Sequence, residues 1–279
     1  LAKDDVSVQE IFDKHKYGGS KGRAEVAKYC IMDCELCIYL LLQLDLLPNN
    51  LGMACVSWVP ISYIFLRGQG IKINSIITKE CSERKTRIPT LKGFTDGQLD
   101  EGFEGAIVLD PKPGIYSDDP ISVLDYASLY PASIIEKNLS HETFIGTSED
   151  IRKNPELEKV ILDIGGYDKC WGIEYDDYSY EMKGKTVHKT KAGTKTKCYF
   201  VKNEVTEDKK IIKESMGIIP IVLQTLLDQR RATRQKIKAT NDENKKKVLD
   251  GFQLAYKVTA NSVYGQMGAR TSPIFFKKI

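Results

Sequence analysis

From Arg23 to Leu47 neither proline nor glycine interrupts the chain, and Val26, Cys30, Cys37, Leu40, Leu41, Leu44 and Leu47 recur at helical spacing. The pattern predicts one long helix closed by Pro48. A second apolar stretch, 53–79, is broken by Pro60, Gly68 and Gly70 and predicts short helices joined by a turn; the charged stretch 80–102 predicts a connecting loop. Ala106–Leu109 and Ile121–Tyr126 are β-prone runs flanking Pro111-Lys-Pro-Gly and Asp118-Asp-Pro, which predicts two strands joined by a rigid loop. Pro131 permits a helix over Ala132–Lys137. Residues 160–202 alternate in part and read as a β-hairpin insertion, with Cys198–Val201 as a strand. Pro220 then sits in the first turn of a helix whose Leu223, Leu226 and Leu227 face a core while Arg230, Arg231 and Arg234 emerge later. A second helix is predicted over about 244–263, and the polar stretch Ala239–Asn244 makes the two an antiparallel hairpin.

The length of 279 residues corresponds to about two domains, and 42% hydrophobic residues support a buried core. The formal net charge of +3 announces neither a nucleic-acid nor a membrane partner, so either would need local clustering. The longest apolar run, Leu36–Leu47, is too short to span a bilayer. Seven cysteines, an odd set with no metal-type pairs, point to an intracellular reducing compartment. A chain that opens on Leu1 and stops abruptly at Ile279 is expected to be part of a longer one.

Three groups of residues could carry chemistry. Asp125 lies near the end of an apolar run, where a carboxylate is costly unless it is paired, caps the next helix, or holds a cation such as Mg²⁺. Lys257, Asn261 and Tyr264 stand at i, i+4 and i+7, on one helix face, where they could meet a phosphate, a sugar or base edge, and a base. The adjacent Gly265 suggests close approach by another group. Arg230 and Arg234 are one turn apart on the preceding helix and could grip one polyanion. With Lys257 opposite, they would make a ladder of cations suited to a triphosphate.

These residues carry a resemblance. Asp125-Tyr-Ala-Ser-Leu-Tyr-Pro131 resembles the Asp-x-x-Ser-Leu-Tyr-Pro motif of family B DNA polymerases, and Lys257 to Gly265 resembles their Lys-x-x-x-Asn-Ser-x-Tyr-Gly motif. Arg230 and Arg234 match the family's pair of basic residues on the other fingers helix. Phe103-Glu-Gly-Ala is similar to the loop joining exonuclease and polymerase regions, with Phe in place of the usual Tyr, and Tyr29-Cys-Ile-Met-Asp33 is similar to the third exonuclease motif. Ile61–Cys81 follows the delta-like version, and the wording of several motifs leans toward polymerases of large DNA viruses.

The resemblance implies an α/β palm with a helical fingers hairpin, preceded by the C-terminal helical part of a 3′–5′ exonuclease domain. The divisions it implies are an exonuclease remnant at 1–60, a connecting segment at 61–102, the first part of the palm with its hairpin insertion at 103–215, fingers helices at 216–265, and the start of a return to the palm at 266–279. Asp125 would bind a catalytic Mg²⁺ with the Tyr126 carbonyl beside it, as half of a two-metal site. Ser128 and Leu129 amides, Arg230, Arg234, Lys257 and Asn261 would bind the incoming triphosphate. Tyr130 would lie under the sugar and exclude a 2′-hydroxyl, and Tyr264 and Gly265 would border the nascent base pair. The implied activity is template-directed addition of deoxynucleotides to a primer 3′ end in viral DNA replication, with primer-template DNA, deoxynucleoside triphosphates and a sliding-clamp processivity factor as partners. If viral, the protein would act in the host nucleus or a cytoplasmic viral factory.

The family's second metal-binding motif, Asp-Thr-Asp, and its first two exonuclease motifs are not in this sequence, so Tyr29 and Asp33 would hold at most part of a metal site. The rival reading is a non-catalytic nucleotide or nucleic-acid-binding module, and this chain alone is expected to be inactive. Two further patterns read as decoys. Tyr175-Asp-Asp177 imitates a catalytic carboxylate turn but precedes the fingers helices, and Cys30, Cys34 and Cys37 read as buried thiols of an apolar helix rather than zinc ligands. His15, His141 and His188 read as surface residues.

Overall fold

The computed structural model describes residues 6–88, 108–183 and 186–276, with the backbone alone for 180–183 and 186–189. Helices α1 (Val8–Tyr17), α2 (Gly19–Gln43), α3 (Leu46–Ser57), α4 (Ile61–Leu66) and α5 (Gln69–Glu83) come first. Then follow α6 (Leu129–Glu136), β1 (Phe144–Thr147), α7 (Ser148–Lys153), α8 (Pro155–Asp163), β2 (Cys170–Lys183), β3 (Thr186–Val201), α9 (Ile218–Ala239) and α10 (Glu243–Gly268).

Pro48 does not close the first long helix. That helix ends at Gln43, Asp45 takes a left-handed conformation, and Pro48 falls in the first turn of α3, where a missing N–H costs nothing. Pro131 occupies the same place in α6, which therefore starts earlier than Pro131 alone suggested, and Pro220 stands in the first turn of α9 as expected. The breaks at Pro60 and Gly68 separate α3, α4 and α5 as expected, and α5 runs on to Glu83 before the loop begins.

The two strands expected before α6 are not observed. Phe103-Glu-Gly-Ala and the start of Ala106–Leu109 lie outside the described residues, while Val108, Leu109 and the whole of 121–126 have no strand geometry. Val123 and Leu124 are 89% and 94% exposed. A β-prone run becomes a strand only with a neighbour to pair with, and none of the described strands adjoins this one.

The hairpin is present as a three-stranded antiparallel sheet of order β1-β3-β2, with Cys170 opposite Val201 and Tyr178 opposite Lys191. Its start is later than expected, because Pro155 and an Asn154 side-chain cap make 155–163 a helix. Helices α7 and α8 cover the sheet through a small core of Ile151, Ile161 and Cys170.

The main core lies among α3, α5, α6, α9 and α10 and is centred on Ile73, Ile219, Leu223, Val263 and Met267. Helix α10 packs between α9 and α3. Its Gly251 meets α3 so closely that a Cβ there would fall 2.7 Å from Asn49 Oδ1. The N-terminus of α9 is held by the turn after α6: Asn138 Oδ1 accepts from Gly217 N at 2.8 Å, Glu142 accepts from Ile218 N, and Ser140 Oγ accepts from Ile219 N at 3.3 Å. This fixes the start of α9 against the end of α6, and so sets which part of α9 reaches the start of α6.

Candidate nucleotide site

Ser128 is the N-cap of α6 and adopts φ 61°, ψ 58°, the left-handed region. The first turn of α6 leaves the Leu129 and Tyr130 amides without intrahelical partners, Pro131 having no N–H, and Ser128 itself borders a groove against α9. Arg230, Arg231, Arg234 and Lys238 of α9 line this groove of about 410 Å³ with Leu227, Gln235, Ala127 and Ser128. A helix start and a row of cations on one concavity could hold an anion, because both the amides and the aligned peptide dipoles favour negative charge.

The four cations are not equivalent. Arg231 is drawn to Asp228 at 3.4 Å, and Arg230 Nε donates to Gln253 Oε1 of α10 at 3.4 Å, an amide that leaves the guanidinium charge uncompensated. Arg234 and Lys238 have no carboxylate within salt-bridge distance among the described residues. Lys238 and Gln253 were not singled out from the sequence. The first continues the Arg230, Arg234 spacing by one more turn; the second carried no signal, since its role depends on how α9 and α10 pack.

On α10, Lys257 and Asn261 are exposed and Tyr264 is half-buried. Lys257 is one turn beyond Gln253 and lies outside the groove lining. From α10, Gln253 accepts from Arg230 of the arginine row. Tyr264 stacks on Tyr130 of α6, with ring centroids 4.5 Å apart and planes inclined by 9°. Gly265 lies within α10, and a Cβ there would meet nothing within 4 Å, so among the described residues it faces open space and does not serve a tight packing contact.

Asp125 is exposed, as is Tyr126, in a segment without regular structure. Solvent removes the cost that would have forced the carboxylate to pair, and α6 is capped by Ser128 with no side-chain cap hydrogen bond, so Asp125 is not the cap either. Among the described residues no three His, Cys, Asp or Glu side chains converge as a metal site. With one carboxylate, the described residues do not by themselves fit a Mg²⁺ pair.

Tyr29 and Asp33 stand one turn apart and half-buried on α2. The nearby Cys30, Cys34 and Cys37 are exposed rather than buried, because the apolar face of α2 has little packed against it among the described residues; Cys81, Cys170 and Cys198 are the buried thiols. In the Tyr175-Asp-Asp177 segment, Asp176 pairs with Lys191 at 2.6 Å, and that hydrogen bond holds its carboxyl below the usual range. Asp177 accepts from Thr194 and Thr196 at 2.8 and 2.7 Å, so both carboxylates serve the hairpin. His15 is exposed, the side chain of His188 is outside the description, and His141 is no surface residue: it stacks on Phe276 at 4.7 Å.

Comparison with known proteins places the chain in a family. The DNA polymerase family B domain matches residues 59–279. The chain belongs to that family. It is 42% identical to the DNA polymerase of Pyramimonas orientalis virus, over 100% of this chain and 25% of the relative. Against the DNA polymerase delta catalytic subunit of Drosophila melanogaster it is 35% identical, over 98% of this chain and 21% of the relative. The family B DNA polymerase of Pyrobaculum calidifontis shares the fold, with a TM-score of 0.58 at 22% identity, covering 99% of this chain and 29% of that one. The chain thus spans about a quarter of the length of the relatives it matches. Among the described residues no helix is long and apolar enough to cross a membrane.

Proposed function

We propose that this chain forms the nucleotide-binding part of a DNA-directed DNA polymerase, which adds deoxynucleotides to a primer 3′ end under the direction of a template strand. The observation that carries the reading is the groove between the start of α6 and the arginine row of α9, with the Tyr130–Tyr264 stack on the same helix start. In this reading α9 and α10 are fingers helices, 103–215 is the first part of the palm, and 1–60 belongs to an exonuclease domain. A sliding-clamp processivity factor belongs to the same proposal, supported by the likeness to delta catalytic subunits.

The chain's own residues would work by position and charge. Arg230, Arg234 and Lys238 draw the triphosphate into the groove, and the Ser128 and Leu129 amides donate to its remaining oxygens. Tyr130, only 40% exposed and backed by Tyr264, lies flat where a sugar would rest. A 2′-oxygen would then have to displace a ring that another ring supports. Lys257 and Asn261, exposed on α10, would add to the triphosphate contacts. Divalent cations serve this reaction in the family, and Asp125 would contribute one carboxylate to them.

Titration of a deoxynucleoside triphosphate into the full-length protein, wild type and Arg234→Ala, tests the reading. Nucleotide affinity should fall while primer-template affinity changes less. The reverse result would make the arginine row a DNA-backbone contact and remove the fingers assignment. Nucleotide binding without any primer extension would favour the non-catalytic module.

A further inference from the structure

A second concavity, of about 560 Å³, lies at the root of the β2–β3 hairpin and is lined by Tyr167, Asp168, Gly172, Lys197, Tyr199 and Lys202. It is at the other end of α6 from the arginine groove: Asn138, just past the C-terminus of α6, donates to the Val201 carbonyl at 3.0 Å, whereas Ser128 at the N-terminus borders the arginines.

The lining alternates rings and cations. Tyr167 is 46% exposed and meets Tyr199 edge-on, with centroids 5.4 Å apart and planes at 66°. Lys197 Nζ is 5.5 Å from the Tyr199 ring centre, and its Cε lies 2.5 Å from where a Cβ on Gly172 would be, so the missing side chain at 172 is what lets the lysine cross the sheet face. Lys202 donates to the Asp168 carbonyl at 2.8 Å and stands 4.7 Å from the ring centre of Trp171, which also receives Lys137 at 3.6 Å. Further along the hairpin, among the described side chains, Lys191 is neutralised by Asp176 and Lys195 by Glu174. Lys137 has Glu136 at 2.9 Å. Lys197 and Lys202 have no carboxylate within salt-bridge distance among the described residues, so two uncompensated cations stand at the root.

We infer that this root concavity binds single-stranded nucleic acid, with a base stacked on Tyr167 and Tyr199 and flanking phosphates held by Lys197 and Lys202. Exposed aromatic faces between cations suit unpaired bases, because every base offers a stacking face and every linkage a charge. A duplex keeps its bases inside and would leave Tyr167 unused; an acidic peptide would satisfy the lysines but not the rings. The inference rests on the polymerase reading, in which the single strand is unpaired template.

The test is crosslinking and binding in the full-length protein. A single-stranded oligodeoxynucleotide bearing 5-iodouracil should crosslink to a peptide within 167–202. Tyr167→Ala and Lys197→Gln, both at exposed side chains, should each weaken binding of that oligonucleotide about fivefold or more at unchanged melting temperature. Lys197→Gln should also reduce the salt slope by about one, and Lys197→Arg should restore it. Absence of the crosslink, or unchanged affinity in both variants, overturns the inference. So does a loss confined to Lys197→Gln with equal displacement by polyglutamate, which would mark a generic anion surface. The triphosphate titration with Arg234→Ala reads the other groove, so the two assignments fail separately.

Discussion

The phenol of Tyr130, near the start of α6, lies parallel to that of Tyr264, near the end of α10, with centroids 4.5 Å apart. Neither ring is fully covered, and each limits the rotamers open to the other. An aromatic pair of this kind is worth about 0.5–1.5 kcal/mol beyond the area it buries. The stack ties the two sequence motifs of the candidate site into one surface.

If Tyr130 supports the sugar of an incoming nucleotide, Tyr264 keeps it in place. Tyr264→Ala is expected to raise ribonucleotide incorporation relative to deoxynucleotide, as Tyr130→Ala does more strongly, while Tyr264→Phe preserves the ratio. Single-nucleotide extension kinetics on one primer-template check this.

Among the described residues Arg234 has no acidic partner to release on binding an anion, so its full charge-assisted contact is available to the triphosphate. Arg234→Ala is expected to weaken nucleotide binding by about 1.5–3 kcal/mol. Arg231→Ala should cost less, because Asp228 already engages that guanidinium. Equilibrium titration of each variant gives the order.

Asn138 is fully buried and left-handed at φ 52°, and it joins three elements. It donates to Val201 O and Ser215 O at 3.0 and 3.3 Å, and it accepts from Gly217 N. Asn138→Ala is expected to destabilise the fold by about 2–4 kcal/mol, since buried partners lose their bonds and alanine tolerates the backbone poorly. Denaturant unfolding measures it.

Burial pushes the His141 imidazole below its ordinary pKa, against a smaller upward pull from Glu142. The folded state therefore binds fewer protons than the unfolded chain as pH falls through the unfolded value of about 6.5. Stability from this group is present above that pH and is lost below it, down to the lowered folded pKa. His141→Gln should flatten the difference in unfolding free energy between pH 7.5 and pH 5.5 relative to the wild type.

The helices were legible because a period of 3.6 and the rules for proline are local, and α9, α10 and their polar turn at 240–242 follow from them directly. The same rules misplace Pro48, since a proline that ends one helix and one that starts the next look alike until the chain's direction is known. The stretch 121–126 has a strand's composition, but a strand is a relation between two segments, and among the described residues it has no partner. Cys30, Cys34 and Cys37 follow an apolar helical pattern, yet their exposure depends on what packs against α2.

The sequence by itself determined the family, the motif residues and the spacing of Arg230 and Arg234, because each is a property of neighbours along the chain. Only the tertiary structure decided that the left-handed Ser128 borders the arginine groove, that Gln253 meets Arg230, and that Tyr130 and Tyr264 stack. Those pairings depend on how α6, α9 and α10 pack, which the buried turn at Asn138 and the close approach at Gly251 fix through contacts between residues far apart in the chain.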